Sequence, residues 1–406
     1  MDLAIIGAGA AGLTAAIWAG RTFPHAQIAL LDSAQKLGAK ILVSGGTRCN
    51  VTHDQVDETA YAGSSRNSIK KVLKRFDVPQ TINFFRELGV ALKREETGKL
   101  FPTTDSARTV VNALLNEIDR HNIDLLHPRR VEQLIHTPTG FQLIGSWGQF
   151  TAQRVILATG GKSLPKSGSD GHGYQLARAL GHQPTDRVFP ALVPLTLPKD
   201  HFICGLSGLT LPTTLEVRSG NGKKIASFTD STLCTHFGLS GPSILDISRY
   251  YTAAKFDDPN AQLVINWLPD LTQQTLDHTL QKLGKTTLLR HFSPLLPERL
   301  LRTLCAAIHL EPGLPADRLT REQRRALVMM LTDTPLPITG DRGYQYAEVT
   351  AGGIPLSEIR LETMESRITP GLYFCGEICD VDGRIGGYNF QWAWASGYVA
   401  GISALK

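Results

Sequence analysis

The chemistry that can be read first in this chain comes from three glycines and an acid. Gly7, Gly9 and Gly12 form G-x-G-x-x-G directly after the short apolar run Asp2 to Ile6, and Asp32 follows 20 residues after Gly12. In a dinucleotide site the first glycine makes a tight turn, the second lets a diphosphate approach the backbone, and the third lets helix and strand pack closely. The helix that follows then offers its N-terminus to the diphosphate. Asp32 would accept hydrogen bonds from the adenosine ribose hydroxyls and repel a 2′-phosphate, so the expected nucleotide is FAD or NAD rather than NADP. A second stretch, LVSGGTRCN at Leu42 to Asn50, sets two glycines, an arginine and a lone cysteine side by side. It reads either as a nucleophile, metal ligand or redox thiol at Cys49, or as a backbone loop built to lie against something flat and charged.

These residues need elements to hold them. LTAAIWAG continues from the glycine turn at helical spacing, and Gln27 to Leu31 is a second strand ending on Asp32, so strand, turn, helix and strand follow in order. From Arg130, short alternating runs divided by TPTG and SWGQ predict a small antiparallel excursion that returns to the parallel sheet at Arg154 to Ala158. Thr159, Gly160 and Gly161 would end that strand at the edge where ligands sit in such sheets. Phe189 to Trp267 is rich in β-branched residues, with one helix expected to open at Pro242. From Asp270 to Thr332 the apolar spacing turns helical. After Gln345 strand signals return: Gly371 to Cys375 leads into Gly376 and Glu377, and a glycine turn feeds a last helix whose Ala393, Gly397, Ala400 and Gly401 put small residues on one face. The expected fold is α/β, a doubly wound Rossmann-like domain of the glutathione-reductase type over 1–188 and 340–406. A β domain over 189–268 and a small helical subdomain over 269–339 would be inserted in it.

Composition narrows the classes without choosing one. The chain has 406 residues, 42% of them hydrophobic, and a formal charge of +5, an excess that permits nucleic-acid contact without demanding it. Six cysteines, at 49, 204, 234, 305, 375 and 379, are too few and scattered for a disulfide framework and include no C-x-x-C pair, so neither a metal site nor a redox dithiol is expected. No basic leader segment and no apolar run near 18 residues can be drawn, and the expectation is a cytoplasmic protein without a membrane span.

The longer motifs carry a resemblance. KILVSGGTRCNVT at Lys40 to Thr52, ILATGGKSLP and GSDGHGY at Ile156 to Tyr174, THFGLSGP at Thr235 to Pro242, AEVTAGG at Ala347 to Gly353 and GLYFCGEICDVDGRIGGYNFQWAWASG at Gly371 to Gly397 are similar, with the opening GAGAAGLTAA, to a bacterial flavoprotein family. It is the NAD(P)/FAD-dependent family of the aminoacetone-oxidase type, which also includes a bile-acid enone reductase and a ribosomal-RNA dihydrouridine synthase. The resemblance implies FAD held by Gly7, Gly9, Ala11, Gly12, Asp32, Lys40, Val131, Thr159, Gly160, Gly376, Glu377, Gly387 and Asn389. The loop after the second strand would run along the diphosphate to the flavin ring, with Ser44, Gly45 and Gly46 giving backbone access and Arg48 supplying charge. The turn Gly386 to Asn389, at the start of the last helix, would face the negative charge of the reduced flavin. Thr47 replaces the family's third loop glycine, His172 stands where an acid is usual, and Cys375 where alanine is usual.

Activity is expected to be reduction of an activated C=C bond, with a uridine of 23S rRNA as leading substrate and a small enone or amine as alternative. Cys49 or His236 would supply the proton. Each also has a structural reading, Cys49 as a small buried hydrophobe and His236 as a residue of the turn beside SGP. The middle of the chain holds no second strand-linked G-x-G-x-x-G, so NAD(P)H would bind transiently in the substrate cleft. Arg66, Lys70 and Lys74 recur at four-residue spacing, with Lys71 and Arg75 beside them and Ile69, Val72, Leu73 and Phe76 opposite, which places a basic face where RNA phosphates could dock. An RNA-binding protein with a structural or sensory flavin is the reading from a different class.

Overall fold

The computed structural model describes residues 1–406. The chain divides into two compact units, Met1–Pro190 with Tyr344–Lys406, and Ala191–Gly343.

In the first unit, β1 (Leu3–Ile6) and β2 (Ile28–Leu31) are wholly buried four-residue strands, which is why they read as unbroken apolar runs. Both lie in a seven-stranded sheet, in the order Ile359–Arg360, Glu365–Ser366, Leu372–Phe374, Arg154–Leu157, β1, β2, Asp124–Leu126. The last five strands are parallel, and the first two join antiparallel. Register aligns Ile6 with Leu157 on one side and Leu31 on the other, so the carboxyl ends of three strands open at one level. That edge is where doubly wound sheets hold ligands.

Helix α1 (Ala10–Thr22) leaves β1 through the glycine turn. The small face of the C-terminal helix Tyr388–Ser403 lies directly on it. A Cβ added at Gly397 would stand 2.5 Å from the Ala11 carbonyl oxygen, and one at Gly401 2.4 Å from that of Ala15, so any larger residue would push the two helices apart. The alternating runs after residue 132 form a three-stranded antiparallel sheet, Gln133–Thr137, Gly140–Gly145 and Gly148–Ala152.

The second unit is a seven-stranded sheet with helices sharing one apolar core, in which Leu215, Leu263 and Trp267 of the strand region pack with Leu276, Leu300 and Leu331 of the helical region. Pro242 opens its helix Pro242–Asp257, at a position where a missing N–H costs nothing. No helix of either unit is long and apolar enough to cross a membrane.

Candidate functional site

The three fingerprint glycines do three different things. Gly7 has φ +105°, and a side chain there would stand 2.4 Å from the Ala158 carbonyl oxygen. A Cβ at Gly12 would stand 1.8 Å from the Gly7 oxygen. These two are required by the protein's own packing. At Gly9, the residue before α1, an added Cβ meets nothing within 4 Å, so this glycine leaves open the space in front of an α1 N-terminus that no side chain caps. Asp32 is fixed against the same turn: Ala8 N–H donates to its Oδ2 at 2.6 Å and Ala34 N–H to its Oδ1 at 2.7 Å.

Beyond the neighbouring strand, Gly160 takes φ +71°, and the hydroxyls of Thr159 and Ser169 are buried without a hydrogen-bond partner. Such orphans at a strand edge suit a site that a polar ligand completes. The GSDGHGY segment folds back on residues 130 and 131. Asp170 accepts from Arg130 at 2.8 Å, and His172 Nε2 donates to the Val131 carbonyl at 3.1 Å. His172 therefore points at backbone, and the Val131 side chain is buried. The guanidinium of Arg130 and the amide of His172 together outweigh burial and hold the Asp170 carboxyl below its usual range.

Lys40 and Glu377, 337 residues apart, form an ion pair at 2.5 Å. Glu377 also accepts from Thr350 N–H at 3.0 Å, and Thr350 Oγ1 accepts from the amides of Lys162 at 2.7 Å and Ser163 at 3.0 Å. Thr350 thus ties the end of one central strand to the segment carrying Glu377. Gly376, at φ +77°, would clash with Ala11 if it bore a side chain. Its amide donates to Ser396 at 2.9 Å and its carbonyl accepts from Trp392 Nε1 at 3.0 Å. Ala11 of α1 and Gly376, just after the strand Leu372–Phe374, are thus brought together.

The LVSGGTRCN stretch is largely the loop that was expected, with only Leu42 and Val43 in regular helix. Helix α2 (Ala39–Thr47) begins regularly and leaves helical geometry at Ser44 (ψ 148°), Gly45 (φ +54°) and Gly46 (φ +66°). Gly45 lies against Phe101 and the Asn50 amide, while a Cβ at Gly46 would meet nothing within 4 Å. Gly46, like Gly9, keeps space free. Thr47 holds φ +70° and Cys49 φ +62°, left-handed conformations that disfavour a β-branched residue above all. Arg48 is committed to the protein: it donates to Glu95 at 2.6 Å, lies 3.7 Å from Asp105 and stacks 4.0 Å from the Phe101 centroid. Its charge is already met by two acids, which a reading from neighbouring residues alone could not foresee.

Cys49 is fully buried, and burial pushes its thiol up to about 12. His236 is exposed at the turn between the strands Lys224–Thr235 and Gly238–Ser240 of the second unit, its ring edge-on to Phe237.

At the start of the C-terminal helix, Gly386 (φ +113°) and Gly387 (φ +96°) bring the chain onto Thr52, whose backbone lies 2.7 Å from where a Gly387 Cβ would be. No side chain caps this helix. Asn389 turns its amide towards Gly383, accepting from that residue's N–H at 2.8 Å and donating to its carbonyl at 2.9 Å, so it clamps the preceding turn. Sequence reading missed Gln391, a buried amide one turn from the helix start. It accepts from Thr52 at 2.7 Å and Thr81 at 3.0 Å and donates to the Phe76 carbonyl at 2.8 Å. Trp394 Nε1 donates to the Val51 carbonyl at 2.8 Å. Together they fix the segment that follows Cys49. A glutamine inside the otherwise apolar run FQWAW was the signal available.

Helix α3 (Arg66–Leu73) is amphipathic, with Ile69, Val72 and Leu73 buried and Arg66 and Lys71 exposed, as are Lys74 and Arg75 just beyond it. Lys70 differs from its neighbours, because its ammonium pairs with Glu58 at 2.7 Å.

The open faces at Gly9 and Gly46, the unpartnered hydroxyls of Thr159 and Ser169 and the clasped Asp32 together fit an adenine dinucleotide such as FAD lying across the strand ends. Comparison with known proteins agrees. The model of the HI0933-like protein Rossmann domain family matches residues 1–403. A 3-dehydro-bile acid delta(4,6)-reductase of Clostridium scindens is 35% identical, with 100% of this chain and 99% of the relative covered. A ribosomal RNA dihydrouridine synthase of Escherichia coli is 36% identical over 98% of this chain and 96% of its own. Among solved structures, a 3-ketosteroid delta1-dehydrogenase from Sterolibacterium denitrificans superposes with a TM-score of 0.53 over 100% of this chain and 99% of that chain, at 14% identity, a likeness of fold.

Proposed function

We propose, from the premise that this chain belongs to the HI0933-like Rossmann-domain family and is an FAD-dependent oxidoreductase, that it saturates an activated carbon–carbon double bond, with a uridine of 23S ribosomal RNA as substrate. The observation that carries this reading is an intact dinucleotide cradle in a chain that runs the full length of relatives named for a reductase and a dihydrouridine synthase. FAD, when bound, supplies two-electron transfer between a donor and the substrate. The donor is assigned as NAD(P)H bound transiently, since the sequence offers no second nucleotide fingerprint. The substrate double bond gains a hydride on one carbon and a proton on its neighbour, and NAD(P)H leaves as NAD(P)⁺.

The chain's own residues would divide the work. Gly7, Gly9, Gly12 and Asp32 would hold the adenosine half, and Asp32 would take the ribose hydroxyls. Lys40, Glu377 and the Gly45–Gly46 backbone would hold the flavin half. Of the two candidate proton donors, His236 is the exposed one, whereas the Cys49 thiol is buried and holds its proton tightly. We therefore assign Cys49 to packing. A small enone is the second reading, favoured by the bile-acid reductase among the relatives.

Nucleoside mass spectrometry of ribosomal RNA from a strain lacking this protein, and any second enzyme of the same activity, tests the assignment. Loss of dihydrouridine is expected. Full dihydrouridine content would remove RNA as the substrate and leave the small-molecule reading.

A further inference from the structure

Around the flavin half of the cradle, one amide side chain is left without a task. Asn50 is buried, 7% exposed, and its Oδ1 has no hydrogen-bond partner. An unpaired polar atom in a folded interior costs stability, and it persists where a partner from outside the chain completes it. The backbone on either side is fully tied. Cys49 N–H donates to the Ser44 carbonyl at 3.0 Å, Val51 N–H donates to the Leu100 carbonyl at 2.9 Å, and the Val51 carbonyl accepts from Trp394 Nε1 at 2.8 Å. Asn50 is therefore held in place by both neighbours while its own acceptor stays empty.

Its position lies between the two segments that flank the flavin half. The Asn50 Cβ stands 3.4 Å from where a Cβ on Gly45 would be, next to the open face at Gly46. Two residues further on, the Thr52 backbone packs against Gly387, at the start of the uncapped C-terminal helix. The other polar side chains of this region are already engaged. Asn389 is bound to the Gly383 backbone, Gln391 to Thr52, Thr81 and Phe76, Lys40 to Glu377, and Arg48 to Glu95. The pyrimidine end of a flavin ring carries an imide edge, an N–H between two carbonyls. A carboxamide sets an acceptor and donors in one plane, so it can meet that N–H and a neighbouring carbonyl together, whereas a carboxylate offers no donor to the carbonyl.

We propose that Asn50 recognises the imide edge of the flavin, its Oδ1 accepting from N3–H and its Nδ2 donating to an adjacent carbonyl oxygen. The proposal rests on FAD binding alone and is independent of which substrate is reduced.

The test measures equilibrium binding of FAD, 3-methyl-FAD and ADP to flavin-stripped wild type, Asn50→Leu and Asn50→Asp. The methylated analogue lacks the N3–H, and ADP presents the adenosine half alone. Asn50→Leu is expected to bind FAD roughly tenfold more weakly than wild type, the order of one lost hydrogen-bonded pair. It should bind ADP and 3-methyl-FAD as wild type does. Its flavin-free form should melt no lower than that of wild type, because an unpaired buried amide has given way to an apolar group of similar size, whereas an asparagine needed only for the fold would lower the melt. Asn50→Asp keeps the shape and should lower the flavin midpoint potential, since a negative charge beside the ring opposes its reduction. FAD affinity in Asn50→Leu equal to wild type, or an equal loss for FAD and 3-methyl-FAD, would overturn the proposal. So would an unchanged potential in Asn50→Asp. The RNA reading stands or falls separately, on the nucleoside analysis above.

Discussion

Two residues decide how the cradle is tested. Asp32 already has both carboxylate oxygens on the amides of Ala8 and Ala34, so it shapes the glycine turn and would bind the ribose. Asp32→Ala should loosen FAD by about 1 to 3 kcal/mol, the range for losing a charge-assisted hydrogen bond, as read by equilibrium dialysis of the flavin. Unchanged affinity would show that Asp32 serves the turn alone. Cys49 makes the opposite case: buried, with a thiol raised to about 12, it should be replaceable. Cys49→Ala is expected to retain FAD, flavin reduction and product formation, whereas the roughly 10² to 10⁴-fold loss typical of a general acid would return the proton to the thiol. Some side-chain roles were legible from type and spacing, as with the acid after the second strand. Others were settled by partners outside their own motif: Arg48 by Glu95, Lys70 by Glu58, Asn389 by the Gly383 backbone. No local pattern announces those.

Among the elements, β1, α1 and β2 were readable because a glycine turn between an apolar run and a helical period admits few alternatives. The short regular helix that opens Ala39–Thr47 was not, since it is brief, whereas the loop from Ser44 on was legible from its glycines. A buried polar junction was also invisible in sequence. His182 is wholly buried between Glu358, 2.7 Å from its Nδ1, and Ser366, 2.8 Å from its Nε2, joining the end of helix His172–Ala179 to the antiparallel edge of the sheet. Burial lowers its pKa below the usual 6.5 against the pull of Glu358. A depressed folded value means that the unfolded chain binds the proton first, so this junction's stability is fully present above about 6.5 and is lost as pH falls from there through the folded value. Thermal melts across pH 7.5 to 5 should show a decline in wild type that is smaller in His182→Gln, with pH values here chosen to span about one unit above ordinary histidine and about one and a half below it. An equal decline in both proteins would assign it to other groups.

At the scale of the molecule, the two chain ends build one sheet. Strand Leu372–Phe374 lies beside Arg154–Leu157, and the C-terminal helix lies on α1, so the cofactor cradle needs residues from both termini to close. That organisation was foreshadowed by the return of strand signals after Gln345. The grouping of the second unit's strands and helices around one core depends on packing that periodicity does not encode. We propose that this architecture reduces uridine in RNA at the expense of NAD(P)H. The most direct test is an anaerobic incubation of the FAD-loaded protein with NAD(P)H and protein-free 23S rRNA from a strain lacking dihydrouridine, followed by nucleoside mass spectrometry. Dihydrouridine is predicted to accumulate only with reductant present. Reductant consumed on a small enone, with every uridine in the RNA unchanged, would contradict it.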